Sequence, residues 1–257
     1  MKKEHYSILR VGLLLLIFSA TCTVAQQNLS EFQPLRFIKH DFTEDEKKLN
    51  RRDELLELDM LVADGAAFVP LSNDIKSELD SLLIEYDETV SSVWNVVHDG
   101  CNWYCAGGNY LVTASSSLKS TNSINYNPKA ANDLSYKTAW VEGKKDEGIG
   151  EYIEYTFENK SPRITSIIIS NGYVKSSKAW SENNRIKKLK LYVDGTEFGI
   201  LNLLDTQDDQ IFELGTFGHN TDGSDLVLKF EIAEVYKGLK YNDTAISEIY
   251  FDGMDVH

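Results

Sequence analysis

Residues 171–185 read NGYVKSSKAWSENNR and carry side chains suited to gripping a polar ring. Tyr173 and Trp180 offer flat apolar faces, Asn171, Asn183 and Asn184 offer amides that donate and accept, and Lys175, Lys178 and Arg185 offer cations. Flat faces with forked hydrogen-bonders beside them are what a sugar requires. Trp180 is the expected platform and Tyr173 the second. Lys175, Asn183, Asn184 and Arg185 are the expected partners of hydroxyls. The alternative is that the rings cap the end of a core and the amides fix turns. Trp140 and Glu142, at the start of the glycine-rich stretch 143–150, are expected on the same rim. Between Lys175 and Lys190 six cations face the single acid Glu182, a field that would favour an acidic glycan. A solvated strand face is the bland alternative.

Catalytic signals are weak by comparison. The histidines His5, His40, His98, His219 and His257 are scattered, with no G-x-S-x-G elbow and no H-E-x-x-H pair. The chain has neither a phosphate-cradling loop nor a dinucleotide fingerprint. The 40 carboxylates guarantee chance pairs, so counting alone leaves a glycosidase open, but the 171–185 stretch holds only Glu182. The sequence therefore favours a non-catalytic binding protein with no organic cofactor. A glycosidase or other secreted hydrolase is the second reading, and a protein-binding adaptor using the same loops is the third.

The N-terminus reads as an export signal over residues 1–25. Lys2, Lys3 and Arg10 precede the apolar core Val11–Phe18, and Thr23-Val24-Ala25 offers a small residue for cleavage before Gln26. The apolar run is short for a membrane span, and no other stretch approaches one. The mature protein is expected to be exported, periplasmic, secreted or at the cell surface. Cys22 as a lipoprotein cysteine is the rival, against which Ser19-Ala20-Thr21 is a poor match. The formal charge of −14 becomes −16 without residues 1–25, a surface that repels phosphate backbones, so nucleic acid is not an expected partner. In an oxidising compartment Cys101 and Cys105, in DGCNWYCAGG, are expected to pair, stabilising by about 2 kcal/mol less any strain. A metal site is the alternative, though only His98 lies near.

Periodicity supplies the elements that position these residues. Residues 26–95 form a helical N-terminal region. Thr43-x-x-Glu46 reads as a capping box opening a helix to about Leu61, and Ile75, Leu79, Leu82, Leu83 and Tyr86 mark a second helix from Asn73. Near Gly107 the period changes to 2. Strands are expected at 110–114, 151–157, 164–170, 186–193, 196–203, 210–214, 225–235 and 246–251, with Asp194-Gly195 as a hairpin turn. Many short strands with almost no helix between them indicate a mainly β, antiparallel sandwich or jelly roll over 96–257.

The motifs CNWYCAGG, KTAWVEG, GIGEYIEYTF, NGYVKSSKAWSENNRIKKLKLYVDG and EVYKGLKYNDTAISEIYFDG follow one another between Cys101 and Gly253. In this order they resemble the discoidin-like (coagulation-factor type C) domains. The resemblance is to the bacterial type found as the translocation, glycan-binding part of secreted NAD-glycohydrolase toxins and in stand-alone exported proteins. It implies an eight-stranded galactose-binding-like jelly roll with a glycan held at loop tips. Nothing here resembles the NAD-glycohydrolase catalytic domain. Related modules of this fold hold a structural Ca²⁺ with an Asp, a Thr and a late Glu, and Asp133, Thr138 and Glu248 occupy those positions. Their alternative role is to cap a turn and face solvent. The resemblance also implies that the Trp of a Thr-x-Trp motif, here Trp140, is commonly core.

Overall fold

The computed structural model describes residues 29–64, 70–98, 100–107 and 110–255. The expected export signal over 1–25, with Cys22, lies outside the described residues. Two sheets pack face to face. One has six strands, in the order β1 (Glu31–Phe32), β8 (Thr196–Asn202), β7 (Arg185–Val193), β10 (Leu226–Tyr236), β5 (Tyr152–Phe157), β3 (Tyr110–Ala114). The other has five, in the order β2 (Arg36–Ile38), β9 (Asp209–Phe217), β6 (Ile164–Asn171), β11 (Ala245–Gly253), β4 (Trp140–Val141). Every strand pairing is antiparallel except that of β1 with β8. This is the expected jelly-roll sandwich.

Alternation places the core. Ile153, Tyr155 and Phe157 on β5 and Leu226, Leu228, Phe230 and Ile232 on β10 all point inward, against Ile167, Ile169, Phe212 and Phe251 of the facing sheet. β6 departs from alternation and reads ITSIIISN because both of its faces are covered. Ile168, with Ile211 and Tyr250, packs outward against Val96, Tyr104 and Leu134. Strands buried on both sides read as continuous apolar runs. Between β7 and β8, Asp194 and Gly195 both take positive φ, 50° and 77°, as a two-residue turn requires.

The N-terminal region is more than helical. Its helices, α1 (Phe42–Ala63) and α2 (Asn73–Glu85), lie antiparallel, linked by Lys48–Glu85 and Arg51–Glu78 ion pairs. Buried Arg52 on α1 donates to the carbonyls of Tyr86, Asp87 and Val90 and so fixes the chain leaving α2. The start of α1 differs from the expected capping box: Asp41, not Thr43, is the N-cap, and its carboxylate accepts from Glu44 N. A carboxylate at that position also meets the positive end of the helix dipole. Before α1, residues with no sequence period form β1 and β2, which lie on the open edges β8 and β9. The strap is seated closely: a Cβ on Gly199 of β8 would come within 2.6 Å of the Phe32 ring and of Ser30 O.

The expected cystine is not formed. Cys101 and Cys105 are free and exposed. Cys105 lies in the one-turn helix α3 (Trp103–Ala106), where its Sγ accepts from Asn102 N and donates to Gly100 O. The thiol is taken up in capping that turn, and Trp103, buried and donating to Arg163 O, anchors the segment in its place.

Candidate functional site

The stretch 171–185 folds into a compact tip that holds itself together. Asn171, fully buried, accepts from Ile186 N and donates to Ile186 O, closing the base of the loop. Gly172 then turns with φ 85°, and a Cβ there would press on Arg185 Cγ at 2.5 Å and the Trp180 ring at 2.9 Å. Only glycine fits both the angle and the space. Ser176 caps a short helix, α4 (Ser177–Glu182), by accepting from Ala179 N.

The expected sugar contacts are therefore largely redistributed. Trp180 is half-buried; its Nε1 donates to Asn171 O, and the Arg185 guanidinium lies over its ring at 4.5 Å. Arg185 is itself buried and grips Asp205 with two nitrogens while donating to Asn183 O and Lys237 O. Asn184 is buried, accepting from Gly238 N and donating to Asn242 O. Trp140 is a core residue with Nε1 on Ser116 O, and buried Glu142 accepts from Lys144 N and Thr244 N. As free contacts, Trp180, Asn184, Arg185, Trp140 and Glu142 are corrected: each has its polar groups or its ring engaged by the protein. Tyr173 is 5% exposed and packs with Ala139, Val141 and Ala245, so its face is no open platform either.

What remains open at the tip is a hollow of about 300 Å³ between the 118–126 loop, α4 and the 241–243 segment. It is lined by Tyr126, the rim of Tyr173, Lys175, Glu182, Asn183, Tyr241 and Asp243 over an apolar floor of Leu118, Val141 and Ala179. Tyr241 is 40% exposed. Lys240 Nζ lies over the Tyr241 ring at 4.5 Å and engages its hydroxyl, and the Asp243 carboxylate accepts from its own backbone N–H. Lys175 Nζ sits 2.9 Å from the Tyr173 hydroxyl and 4.3 Å from its ring centre. Burial raises the Asp243 carboxyl above its ordinary 3.8 and also raises the Tyr126 hydroxyl. Of the expected residues, then, the structure brings together Tyr173, Lys175 and Asn183. It adds Tyr126, Tyr241 and Asp243, whose signal was an aromatic residue set in an aperiodic polar loop, INYNP and KYNDT.

Asp133, Thr138 and Glu248 do converge. Thr138 Oγ1 donates to Asp133 Oδ1 at 2.7 Å, and Glu248 Oε1 accepts from Ser135 N at 2.9 Å. Glu248 is fully buried, and its Oε2 has no hydrogen-bond partner. Burial raises this carboxyl well above its ordinary 4.5, and the neighbouring Asp133 adds to the effect. Leu134, between them, has a φ of 60°, an uncommon angle for a residue with a Cβ. An orphaned buried carboxylate oxygen next to a second carboxylate and a hydroxyl suits a hard cation. Among the described residues no three His, Cys, Asp or Glu side chains gather as a metal cluster, so backbone carbonyls would have to complete such a site.

Residues 103–252 match the model of the NAD glycohydrolase translocation F5/8 type C domain, well over half of the chain. The chain belongs to that family. A comparison with curated proteins found no match. Among solved structures, the translocation-type domain is similar to a Clostridium perfringens module, CpGH89CBM32-5, solved with GalNAc-β-1,3-galactose. That similarity has a TM-score of 0.42 and 17% identity, over 58% of this chain and 99% of the other. It is also similar to the CBM32-1, CBM32-2 and M60 catalytic domains of Clostridium perfringens ZmpB, with a TM-score of 0.41 and 12% identity over 71% and 19%. A third is the mycobacterial arabinofuranosyltransferase AftD, with a TM-score of 0.39 and 15% identity over 58% and 11%. Nothing about the ligand of this chain follows from likenesses so distant. Among the described residues, no helix is long and apolar enough to cross a membrane.

Proposed function

We propose that this translocation-type domain is an exported, non-catalytic carbohydrate-binding module that holds a sugar unit in the tip hollow. One observation carries the reading: the side chains of Tyr126, Tyr241, Asp243 and Lys175 together line a small open hollow with an apolar floor. The Tyr241 ring carries Lys240 Nζ over one face at 4.5 Å and would stack a sugar on the other, Asp243 and the Asn183 Oδ1, whose Nδ2 is donated to Ala179 O, accept from hydroxyls, and Lys175 donates. The charged segment and apolar run of residues 2–18 support export, and the net charge of −14 speaks against nucleic acid. A structural Ca²⁺ would be held by Asp133, Thr138 and Glu248, neutralising the buried carboxylate and tying the 133–138 loop to β11.

The reading predicts a particular pH dependence. Sugar hydroxyls donate to the ionised Asp243, so protonation competes with binding, and affinity falls as pH drops through a value above the ordinary 3.8. The measurement is a glycan-array screen of the full chain followed by a pH titration of the best ligand. Asp243→Asn is expected to lose at least about tenfold in affinity and to flatten the pH profile. Binding by Asp243→Asn equal to wild type would remove that residue from the site. Hydrolysis of aryl glycosides by the purified protein would transfer the chain to the glycosidase class.

A further inference from the structure

We propose that the N-terminal region, which lies outside the family match at 103–252, builds a second sugar subsite beside the tip, so that the ligand is a neutral oligosaccharide of at least two units. This rests on the carbohydrate-binding reading of the tip hollow. A cavity of about 530 Å³ opens between the loop before α4 and the segments flanking α1 and following α2. Phe42, Thr43 and Trp94 line it from the N-terminal side, Lys175 and Ser177 from the tip, and Gln207 from the β8–β9 connection. Lys175 lines this cavity and the tip hollow alike, so the two share a wall and one extended ligand can reach both. Both volumes fall within the roughly 300–1,000 Å³ usual for small-ligand sites.

The N-terminal wall is firmly built. His40 stacks on Phe42 at 5.0 Å and Phe42 on Trp94 at 4.6 Å, a continuous pile that also touches Tyr136. His40 Nε2 lies 3.1 Å from buried Asp209 without a hydrogen bond to it, and Asp209 accepts from Tyr136, Tyr250 and Ser170. The pile is thus pinned to the five-stranded sheet from below. Its faces are used in stacking, so it presents aromatic edges ringed by a hydroxyl, an amide and an ammonium. Asp41 lines the same cavity and offsets Lys175, so a neutral sugar suits it better than an anion. Isolated as a sequence, the 26–95 region shows no binding chemistry; its share of the site exists only once it is folded against residues 174–177.

The test is an NMR titration of the full chain. The probes are galactose, N-acetylgalactosamine, N-acetylglucosamine and glucose, and neutral tri- and tetrasaccharides ending in each. The best oligosaccharide is expected to bind about tenfold or more tighter than its terminal monosaccharide and to shift the Trp94 indole N–H, which the monosaccharide leaves in place. Ser177→Arg, which fills the cavity from an exposed position, and Gln207→Ala are both expected to erase that gain while keeping monosaccharide affinity unchanged. Equal affinity for long and short ligands, or a gain untouched by Ser177→Arg, overturns the second subsite alone. Absence of binding by every probe overturns the tip reading and this inference with it.

Discussion

At the scale of single residues, two side chains are most informative. Glu248 is buried with one oxygen unpaired, and its pKa is raised in the folded state. The folded chain therefore binds a proton more tightly than the unfolded chain, so without metal the Glu248 contribution to stability falls as pH rises from about 4.5 through the raised value. Thermal melts in chelator should show this decline and should show Glu248→Gln at least as stable as wild type near neutral pH. Added Ca²⁺ should raise the wild-type midpoint and leave Glu248→Gln unchanged. A Ca²⁺ response retained in Glu248→Gln would exclude this carboxylate as the ligand. Trp180 shows how a residue type can mislead. A tryptophan among amides in a long loop has the composition of a platform, but the sequence does not say that Arg185 lies over its ring and that Gly172 passes close to its indole nitrogen. Trp180→Ala is expected to cost about 2–3 kcal/mol in urea unfolding, through lost packing. If that variant is as stable as wild type, the ring is not structural.

At the scale of elements, local periodicity was readable and edge contacts were not. The inward residues of β5, β7 and β10 alternate, and α1 and α2 carry helical spacing, so they could be placed from sequence. β1 and β2 have two and three residues and no period; only the unpaired edges of β8 and β9 make them strands. α4 was missed for a similar reason, since one turn and a half gives no repeat to detect. The cystine expected between Cys101 and Cys105 does not form, because spacing does not reveal that Cys105 Sγ is committed to capping α3. The strap has its own test. Gly199→Ala would drive a methyl group into Phe32 and Ser30, so it should loosen residues 29–38 and raise their amide exchange, with little effect on β5. Unchanged protection over β1 would mean that the strap does not depend on this close approach. Arg185→Ala should unfasten α4, because it leaves three carbonyl and carboxylate partners unpaired at one point. A cost of about 2 kcal/mol is expected, limited by the partial exposure of Asp205.

At the scale of the whole molecule, the sandwich is a frame whose loops line two hollows that share Lys175. The family to which the chain belongs accounts for the frame, while residues outside the family match wrap two sheet edges and wall one hollow. Of the stretch 171–185, Tyr173, Lys175, Ala179, Glu182 and Asn183 line the proposed hollow, but its other side is formed by neighbours distant in the chain, Tyr126, Tyr241 and Asp243, which pattern alone does not associate with it. The central claim is that this open side grips sugar. Its most direct test is the affinity of wild type and Tyr241→Ala for the strongest array ligand, with thermal melts of both. Tyr241 stands exposed at the rim, so its removal should leave the melting midpoint in place and weaken binding about tenfold, as expected for a lost stacking face. Undiminished binding by a folded Tyr241→Ala protein would contradict the account.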